Sequence, residues 1–208
     1  MMPKLSCLPV SFYPAFAAGA MSISQWADIA GTLGLDAIDL SVLMTRRLDA
    51  AALEAVGSEV RRLGMPVDTV ATYTDFIHPD ASFRESAFDQ FKADMEAAAL
   101  FGAAYMRITS GQAHPETSRA RGIELTLEYF HRAAKLAGKR GIGLLFENHS
   151  TPGVWQHHDF AAAPAVYFEI AERLIGTPVD LLFDTANACY YKQDTVRMLE
   201  RVLPRVRR

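Results

Sequence analysis

Two short apolar stretches of the sequence end in charged side chains that a hydrophobic core does not require. The first, residues 144–146, is followed directly by Glu147, and the second, residues 181–183, is followed directly by Asp184. Amide and imidazole groups come next in both places: Asn148, His149 and Asn187. Buried charges are costly unless they are paired or bind a metal. Two such carboxylates therefore indicate a site that does chemistry.

Both carboxylates can serve one cation if the two stretches are neighbouring parallel strands, which lie about 4.8 Å apart. Oxygen ligands of this kind favour Mn²⁺ or Mg²⁺, and a nearby imidazole also admits Zn²⁺ or Co²⁺. The structural alternative is that each carboxylate only caps a helix or faces water. Because the two occur in register after consecutive apolar stretches, the metal site is the preferred interpretation.

The elements that must position these groups follow a repeating pattern along the chain. Apolar runs alternate with stretches of helical periodicity, and the runs predict strands at residues 5–10, 37–40, 67–72, 105–109, 142–146 and 179–183. Helix caps are predicted at Ser22, Asp49, Ser82, Asp159 and Asp194. This series predicts an α/β fold, a (βα) TIM-type barrel. No glycine fingerprint of a dinucleotide-binding or P-loop fold is present, which favours the barrel over a doubly wound sheet.

The predicted barrel is incomplete. A complete one has eight units and about 250 residues, whereas six units fill the 208 residues of this chain. We therefore expect a single barrel domain over residues 1–208 that lacks its C-terminal units and leaves the outer edges of strands one and six unpaired. A shortened chain, an unusual gene product, and closure by a second copy in a homo-oligomer are the alternatives.

Composition excludes several classes of protein. The net charge of −3 argues against a nucleic-acid binder, which would carry a basic excess. No apolar run approaches the roughly 18 residues of a membrane span, and residues 1–10 lack the features of a signal peptide. The two cysteines, Cys7 and Cys189, lie far apart in sequence, which favours a reduced, cytoplasmic protein.

Four phrases of the sequence resemble the sugar phosphate isomerase/epimerase group of the xylose isomerase-like TIM barrels. They are Gly-Leu-Asp-Ala-Ile-Asp-Leu (34–40), Met-Arg-Ile-Thr-Ser-Gly (106–111), Leu-Leu-Phe-Glu-Asn-His (144–149) and Leu-Phe-Asp-Thr-Ala-Asn (182–187). The phrases stand in the order of that family, and the similarity covers nearly the whole chain. The resemblance implies a divalent-metal-dependent isomerase or epimerase that acts on a small sugar, sugar phosphate or polyol.

The same resemblance assigns roles to particular residues. In that family the metal is held by a Glu after strand five, an Asp after strand six, a His after strand seven and a Glu after strand eight. Glu147 matches the first and Asp184 the second, while the other two have no counterpart in the sequence. The implied reaction transfers a proton through a metal-stabilised enediolate, with Glu147 as both ligand and acid/base. Asn187 stands where relatives often carry a substrate-binding His.

Three further residues are candidates for substrate binding. His149 is expected to bond sugar hydroxyls, the alternative being a loop histidine exposed to water. Arg107, within the fourth predicted strand, is expected to point into the lumen or to pair with a carboxylate such as Glu147, because a buried guanidinium is costly alone. His78 follows the third strand and either touches substrate or is a turn residue before Pro79. The pair His157-His158 is interpreted as a mobile lid or a plain loop.

Two other functions compete with the isomerase interpretation. The missing units favour a catalytically incomplete barrel fragment with a binding or structural role. An abasic-site endonuclease-like metal hydrolase shares this barrel, but it needs more metal ligands and a basic groove, which the net charge of −3 does not support.

Overall fold

The computed structural model describes residues 4–150, 153 and 155–208. Its strands are β1 (Ser6–Cys7), β2 (Ala37–Ser41), β3 (Val67–Ala71), β4 (Tyr105–Ile108), β5 (Gly143–Glu147) and β6 (Val179–Leu182). Its helices are α1 (Tyr13–Ala17), α2 (Ile23–Thr32), α3 (Val42–Thr45), α4 (Ala50–Arg62), α5 (Ala81–Phe101), α6 (Arg119–Arg140), α7 (Pro164–Arg173), α8 (Thr185–Tyr190) and α9 (Thr195–Val202). Short 3₁₀ turns occupy Val10–Phe12, Phe160–Ala162 and Leu203–Arg205. None of the helices within these described residues is long and apolar enough to cross a membrane.

The six strands form a parallel sheet whose order is the chain order, β1 to β6. The α/β fold of TIM-barrel type with six strand–helix units is therefore confirmed for the described residues. In the register of β5 and β6, Leu144 lies opposite Val179 and Glu147 lies opposite Leu182. This register brings the predicted site residues at the ends of the two strands to the same edge of the sheet.

The chain divides into two compact units. The first comprises the chain up to Thr72 together with Ala93–Met106. Its core is built on β2, where Ile38 and Leu40 are fully buried, and on Trp26 of α2. The prediction of one domain over residues 1–208 stays a prediction.

The second unit comprises Tyr73–Lys92 and Arg107–Arg208. Its core is aromatic: the Phe76 ring stacks on Tyr129 at 5.1 Å, and Phe146 of β5 lies 5.3 Å from both Phe130 and Tyr167. These rings pack behind β5, so the strand that carries Glu147 is held by side chains on α6 and α7.

Most predicted helix starts are confirmed by their hydrogen bonds. Ser22 and Gln25 form a reciprocal capping box at the start of α2. Asp49 caps α4 through the Ala52 amide, and Asp194 caps α9 through the Arg197 amide. Side-chain acceptors of this kind satisfy the amides at a helix start that have no partner within the helix.

Three local predictions are wrong. The first strand covers only Ser6–Cys7, because Pro9 has no N–H to donate to a ladder and the chain turns into a 3₁₀ helix after it. The cap before α5 is Asp80, whose Oδ1 accepts from the Ser82 amide at 2.7 Å, since the helix begins one residue before Ser82. Asp159 caps a single 3₁₀ turn rather than a helix, and α7 begins afterwards at Pro164.

The outer edge of β6 is also paired, contrary to the prediction that it would be open. Val206 forms a parallel bridge with Leu181. The Arg207 amide donates to the Leu181 carbonyl at 2.9 Å, and the Phe183 amide donates to the Arg208 carbonyl at 3.0 Å. The chain is extended at Val206, after the Leu203–Arg205 turn, and this conformation allows the segment to lie along the strand.

Candidate active site

Glu147 ends β5 as a buried carboxylate, with 9% of its side chain exposed. Its Oε2 lies 3.1 Å from Arg107 Nε, yet no donor of the described residues meets this oxygen in hydrogen-bond geometry. The pair is therefore a close electrostatic contact that leaves the oxygen able to accept from another group. Burial raises the pKa of Glu147; the Arg107 charge opposes this and the Asp184 charge adds to it.

Arg107 lies within β4 and is 4% exposed. Its guanidinium carbon lies 4.8 Å from the centre of the Tyr73 ring, on the aromatic face. The predicted inward orientation and the pairing with Glu147 are both observed. A guanidinium removed from water needs such partners, because the cost of leaving it unpaired is several kcal/mol.

A reciprocal pair of hydrogen bonds, which we call the Asn148 clamp, joins the ends of β5 and β6. The Asn148 Nδ2 donates to the Asp184 carbonyl at 2.8 Å, and the Asp184 amide donates to Asn148 Oδ1 at 2.7 Å. Asn148 is itself buried. The clamp fixes the residue after Glu147 against the backbone of Asp184 and so holds the two strand ends together.

The Asp184 side chain caps a helix, as the structural alternative predicted, and its charge also acts on Glu147. Its Oδ1 caps α8 by accepting from the Ala186 amide at 2.7 Å and the Asn187 amide at 3.1 Å. Its negative charge nevertheless contributes to the raised pKa of Glu147. One carboxylate oxygen of Asp184 is therefore engaged by the local backbone.

His149 is part of the buried site and not an exposed loop residue, since 12% of its side chain is accessible. Its ring contacts those of Tyr73 at 6.0 Å and Trp155 at 6.3 Å between centres, and its Nε2 is 3.8 Å from Glu147 Oε2. Its Nδ1 faces the Ser150 carbonyl at 3.3 Å, which assigns the proton to Nδ1 and the lone pair to Nε2. Burial and then the Arg107 charge lower the pKa of His149 to about 3, so the ring is neutral.

The remaining predicted residues are distributed between two places. Asn187 lines a small cavity together with His149 and Asn148, which brings these polar side chains to one location. His78 is not brought to Glu147: its Nδ1 accepts from the Asp80 amide at 3.1 Å, and its ring lies 4.7 Å from His114. A turn role for His78 is thus observed, and its contact with substrate stays a prediction.

The residues fit the divalent metal implied by the resemblance in part. Carboxylate oxygens suit Mn²⁺ and Mg²⁺, and among the described residues no donor is aligned with the buried Glu147 Oε2. Within the same residues, however, no group of three His, Cys, Asp or Glu side chains is placed to hold a metal ion. Glu147 and Asp184 alone would supply only part of a coordination sphere.

Several residues of the site carry no distinctive signal in the sequence. Tyr73 and Trp155 look like ordinary aromatic residues until their contacts with Arg107 and His149 are seen. The sequence indicates only a helix cap at Asp159, yet its side chain is fully buried and its Oδ2 has no partner in the part of the chain that the structure describes. Burial raises its pKa well above the ordinary value, the bond from the Ala161 amide opposes this, and the Glu147 charge adds to the rise.

Replacing Asp159 with Asn is expected to make the protein relatively more stable as the pH rises. An acid with a raised folded pKa stabilises the fold fully below its unfolded pKa and loses that contribution as the pH rises through the folded value. Asn keeps the Ala161 cap and cannot ionise. Urea unfolding at pH 5 and pH 7 measures the free energy of unfolding of both proteins. The value for the variant minus the value for wild type should increase by up to about 1 kcal/mol per pH unit.

The matched control for this measurement is Asp49→Asn, which changes an exposed helix cap. Its difference from wild type should be nearly the same at both pH values. An Asp159→Asn gap that does not change with pH would show that Asp159 ionises normally in the folded protein.

The chain is similar to known proteins in sequence family and in fold. Residues 27–207 match the family described as the xylose isomerase-like TIM barrel. No curated protein sequence matches the chain. Many solved structures are similar, and at the identities below the likeness shows the fold.

Three of these structures illustrate the similarity. A putative xylose isomerase from Rhodospirillum rubrum has a TM-score of 0.79 and 16% identity over 99% of this chain and 75% of its own. The 3-keto-D-glucoside 4-epimerase YcjR from E. coli has a TM-score of 0.75 and 15% identity, and the match covers 99% of this chain and 77% of the epimerase. The probable 3-DHS dehydratase AsbF of Bacillus anthracis, involved in petrobactin synthesis, has a TM-score of 0.76 and 13% identity over 98% and 71%.

Proposed function

Because the chain belongs to the xylose isomerase-like TIM-barrel family, we propose that it is an isomerase or epimerase of a small sugar, sugar phosphate or polyol that requires a divalent metal ion. The observation that carries the proposal is Glu147. A carboxylate is held at the end of a buried strand with a raised pKa, and one of its oxygens accepts no aligned hydrogen bond from the described residues. Such a group is suited to take a proton from a substrate and return it.

The surrounding residues support proton transfer at that carboxylate. Glu147 would remove a proton from the carbon next to a substrate carbonyl and return it. Arg107, 3.1 Å away, balances the negative charge whenever Glu147 is ionised. The neutral His149 presents Nε2 as an acceptor for a substrate hydroxyl. Tyr73 and Trp155 both contact that ring and supply apolar surface beside it.

The metal ion would be held by Glu147 and Asp184, with Mn²⁺ or Mg²⁺ preferred over Zn²⁺ or Co²⁺ because the donors are carboxylate oxygens. When bound, such an ion supplies Lewis-acid stabilisation of negative charge on substrate oxygens. We assign substrate binding to Arg107, His149 and Asn187, and to His78 at a greater distance.

Addition of Mn²⁺ is expected to stabilise the protein, by about 2.7 kcal/mol when the free ion is at 100 times its Kd. Thermal unfolding with and without Mn²⁺ measures this. Asp184→Asn should lose most of the stabilisation, because Asn still caps α8 but carries no charge. Asp194→Asn, the same change at the cap of α9, is the control and should respond like wild type. No stabilisation of wild type, or equal stabilisation of Asp184→Asn, would remove the metal from the proposal.

The proposal also includes location and partners. Cys7 and Cys189 are free and exposed, which supports a cytoplasmic protein because thiols persist in a reducing compartment. The small sugar-like substrate is the expected partner, and we expect neither nucleic acid nor membrane. A homo-oligomer belongs to the proposal as well, supported by large exposed apolar side chains near the C-terminal helices: Ile175, Val196 and Leu203.

A further inference from the structure

A second group of polar side chains lies in the segments that follow β3, β4 and β5. We call Asp75, His78, Gln112, His114 and His157 the His114 cluster. Its members are half-buried, so they are held by the protein and still reach the surface. The proposed reaction uses none of them except His78, to which substrate binding is assigned above. Their hydrogen bonds fix which ring atoms can bind a ligand.

The central pair is His114 with Asp75. His114 Nε2 lies 2.8 Å from Asp75 Oδ2, and Asp75 also accepts from the Gln112 backbone amide at 3.1 Å and from Gln112 Nε2 at 3.0 Å. A carboxylate oxygen accepts hydrogen bonds, so in this contact the His114 proton is on Nε2. This leaves the Nδ1 lone pair of His114 as an acceptor for a ligand.

The orientation of the Gln112 amide is settled by its other partners. Its Oε1 accepts from the backbone amides of Gln156 at 2.8 Å and His157 at 3.1 Å. Backbone amides can only donate, so the oxygen must face them and the nitrogen must face Asp75. Gln112 thereby ties the segment containing His157 to the Asp75–His114 pair.

His78 supplies a donor beside this acceptor. Its Nδ1 accepts from the Asp80 amide, so in the neutral ring the proton is on Nε2. The His78 and His114 ring centres are 4.7 Å apart, and those of His114 and His157 are 5.5 Å apart. An imidazole acceptor and an imidazole donor therefore stand side by side.

This combination suits a hydroxyl group, which donates one hydrogen bond and accepts others. It does not suit a phosphate, which only accepts and needs positive charge. The nearby guanidinium of Arg84 is bonded to the carbonyls of His78 at 2.6 Å and Pro79 at 3.0 Å. The carboxylate groups of Asp75 and Asp80 add negative charge at the same place and would repel an anion.

Two chain segments connect this cluster with the Glu147 site. Tyr73 contacts the His149 ring, and Asp75, two residues later, binds His114. Trp155 contacts the same His149 ring, and His157, two residues later, contacts His114. Two residues of chain span at most about 7 Å between Cα atoms. The cluster and the Glu147 site are therefore carried by neighbouring parts of the same two segments.

We propose that the His114 cluster binds a hydroxyl at the far end of an uncharged sugar or polyol whose carbonyl end lies at Glu147. The ligand hydroxyl donates to His114 Nδ1 and accepts from His78 Nε2. The inference rests on the proposed function and narrows its substrate class from sugars and sugar phosphates to the uncharged ones.

The test is an NMR titration of the full chain with labelled histidines, without added divalent ions, using D-fructose and D-fructose 6-phosphate. D-Fructose should shift the imidazole signals of His78 and His114 and should bind at least as tightly as its phosphate. His114→Gln should weaken D-fructose binding about tenfold, as expected for one lost hydrogen bond. Gln can still donate an N–H to Asp75, so the variant should keep the fold. His131→Gln, on the exposed side of α6, should bind like wild type.

Three results would overturn the proposal. D-Fructose could leave the His78 and His114 signals unmoved, or bind His114→Gln as tightly as wild type. Tighter binding of D-fructose 6-phosphate, with that advantage lost in His114→Gln, would show an anion site instead. None of these results depends on the metal. A negative D-fructose titration would therefore overturn the hydroxyl site alone. The metal site of the proposed function is tested separately, by the Mn²⁺ measurement on Asp184→Asn.

Discussion

Glu147→Gln is expected to lower the rate of proton transfer by about 10²- to 10⁴-fold, the usual contribution of a positioned acid or base. The amide has the shape of the carboxyl group but cannot take up or release the proton. Its surroundings stay the same, because Glu147 is buried at the fixed end of β5. Incorporation of deuterium from D₂O into a panel of ketoses, followed by NMR, measures the transfer directly.

Two controls separate lost chemistry from lost structure. Glu124→Gln makes the same change in an exposed ion pair with Arg173 and should retain full activity. Glu147→Gln also removes a negative charge that lies against the buried Arg107, which is destabilising. Adding Arg107→Met should recover any lost stability but no activity. Wild-type exchange in Glu147→Gln would contradict the assigned role. No exchange in the wild-type protein with any ketose would favour the incomplete-barrel alternative, a binding or structural role.

Gly111→Ala is expected to lower the free energy of unfolding by about 2–4 kcal/mol. Gly111 has a φ of +133°, a conformation that other residues rarely adopt. A Cβ there would lie 2.3 Å from Asp75 Oδ1 and 3.0 Å from Ile77 Cγ1. The backbone and Asp75 must therefore move apart, and the His114 cluster should lose its central hydrogen bond. Urea unfolding measures the energy, and the His114 imidazole signal reports on the bond.

Gly138→Ala is the matched control, and its expected effect has the opposite sign. Gly138 lies within α6, and apart from the backbone of its own helix a Cβ there would meet no atom of the described residues within 4 Å. Removing a helical glycine should stabilise the protein by about 0.5–1 kcal/mol. If Gly111→Ala were as stable as wild type, the close packing of Asp75 against this glycine would not be needed for the fold.

Local features of the sequence were enough to predict most of the strands. Apolar runs bounded by capping residues placed β2 to β6 within one residue at each end, because a buried parallel strand must be apolar throughout. The Glu147–Arg107 contact was predictable for a similar reason: an arginine inside such a strand needs a carboxylate. The short length of β1 was not predicted, because the apolar residues around Pro9 extend the run of residues 5–10 and the run alone does not show that Pro9 ends the strand.

The His114 cluster could not be predicted from the sequence. Its members lie on three irregular segments, and the bond between Asp75 and His114 joins residues 39 positions apart. None of the three segments has a periodicity that would indicate which side chains meet. The decisive partners, Gly111 and the backbone amides of Gln156 and His157, carry no chemical signal of their own. Only tertiary packing brings them together.

The Asn148 clamp bears on how such a protein can change its reaction over time. Because Asn148 bonds the backbone of residue 184, the separation of the two strand ends is independent of the side chain at that position. Mutation at 184 can therefore alter reactivity while the scaffold geometry persists. A library randomised at residue 184 should contain mostly folded members, which makes it a starting point for directed evolution of new activities.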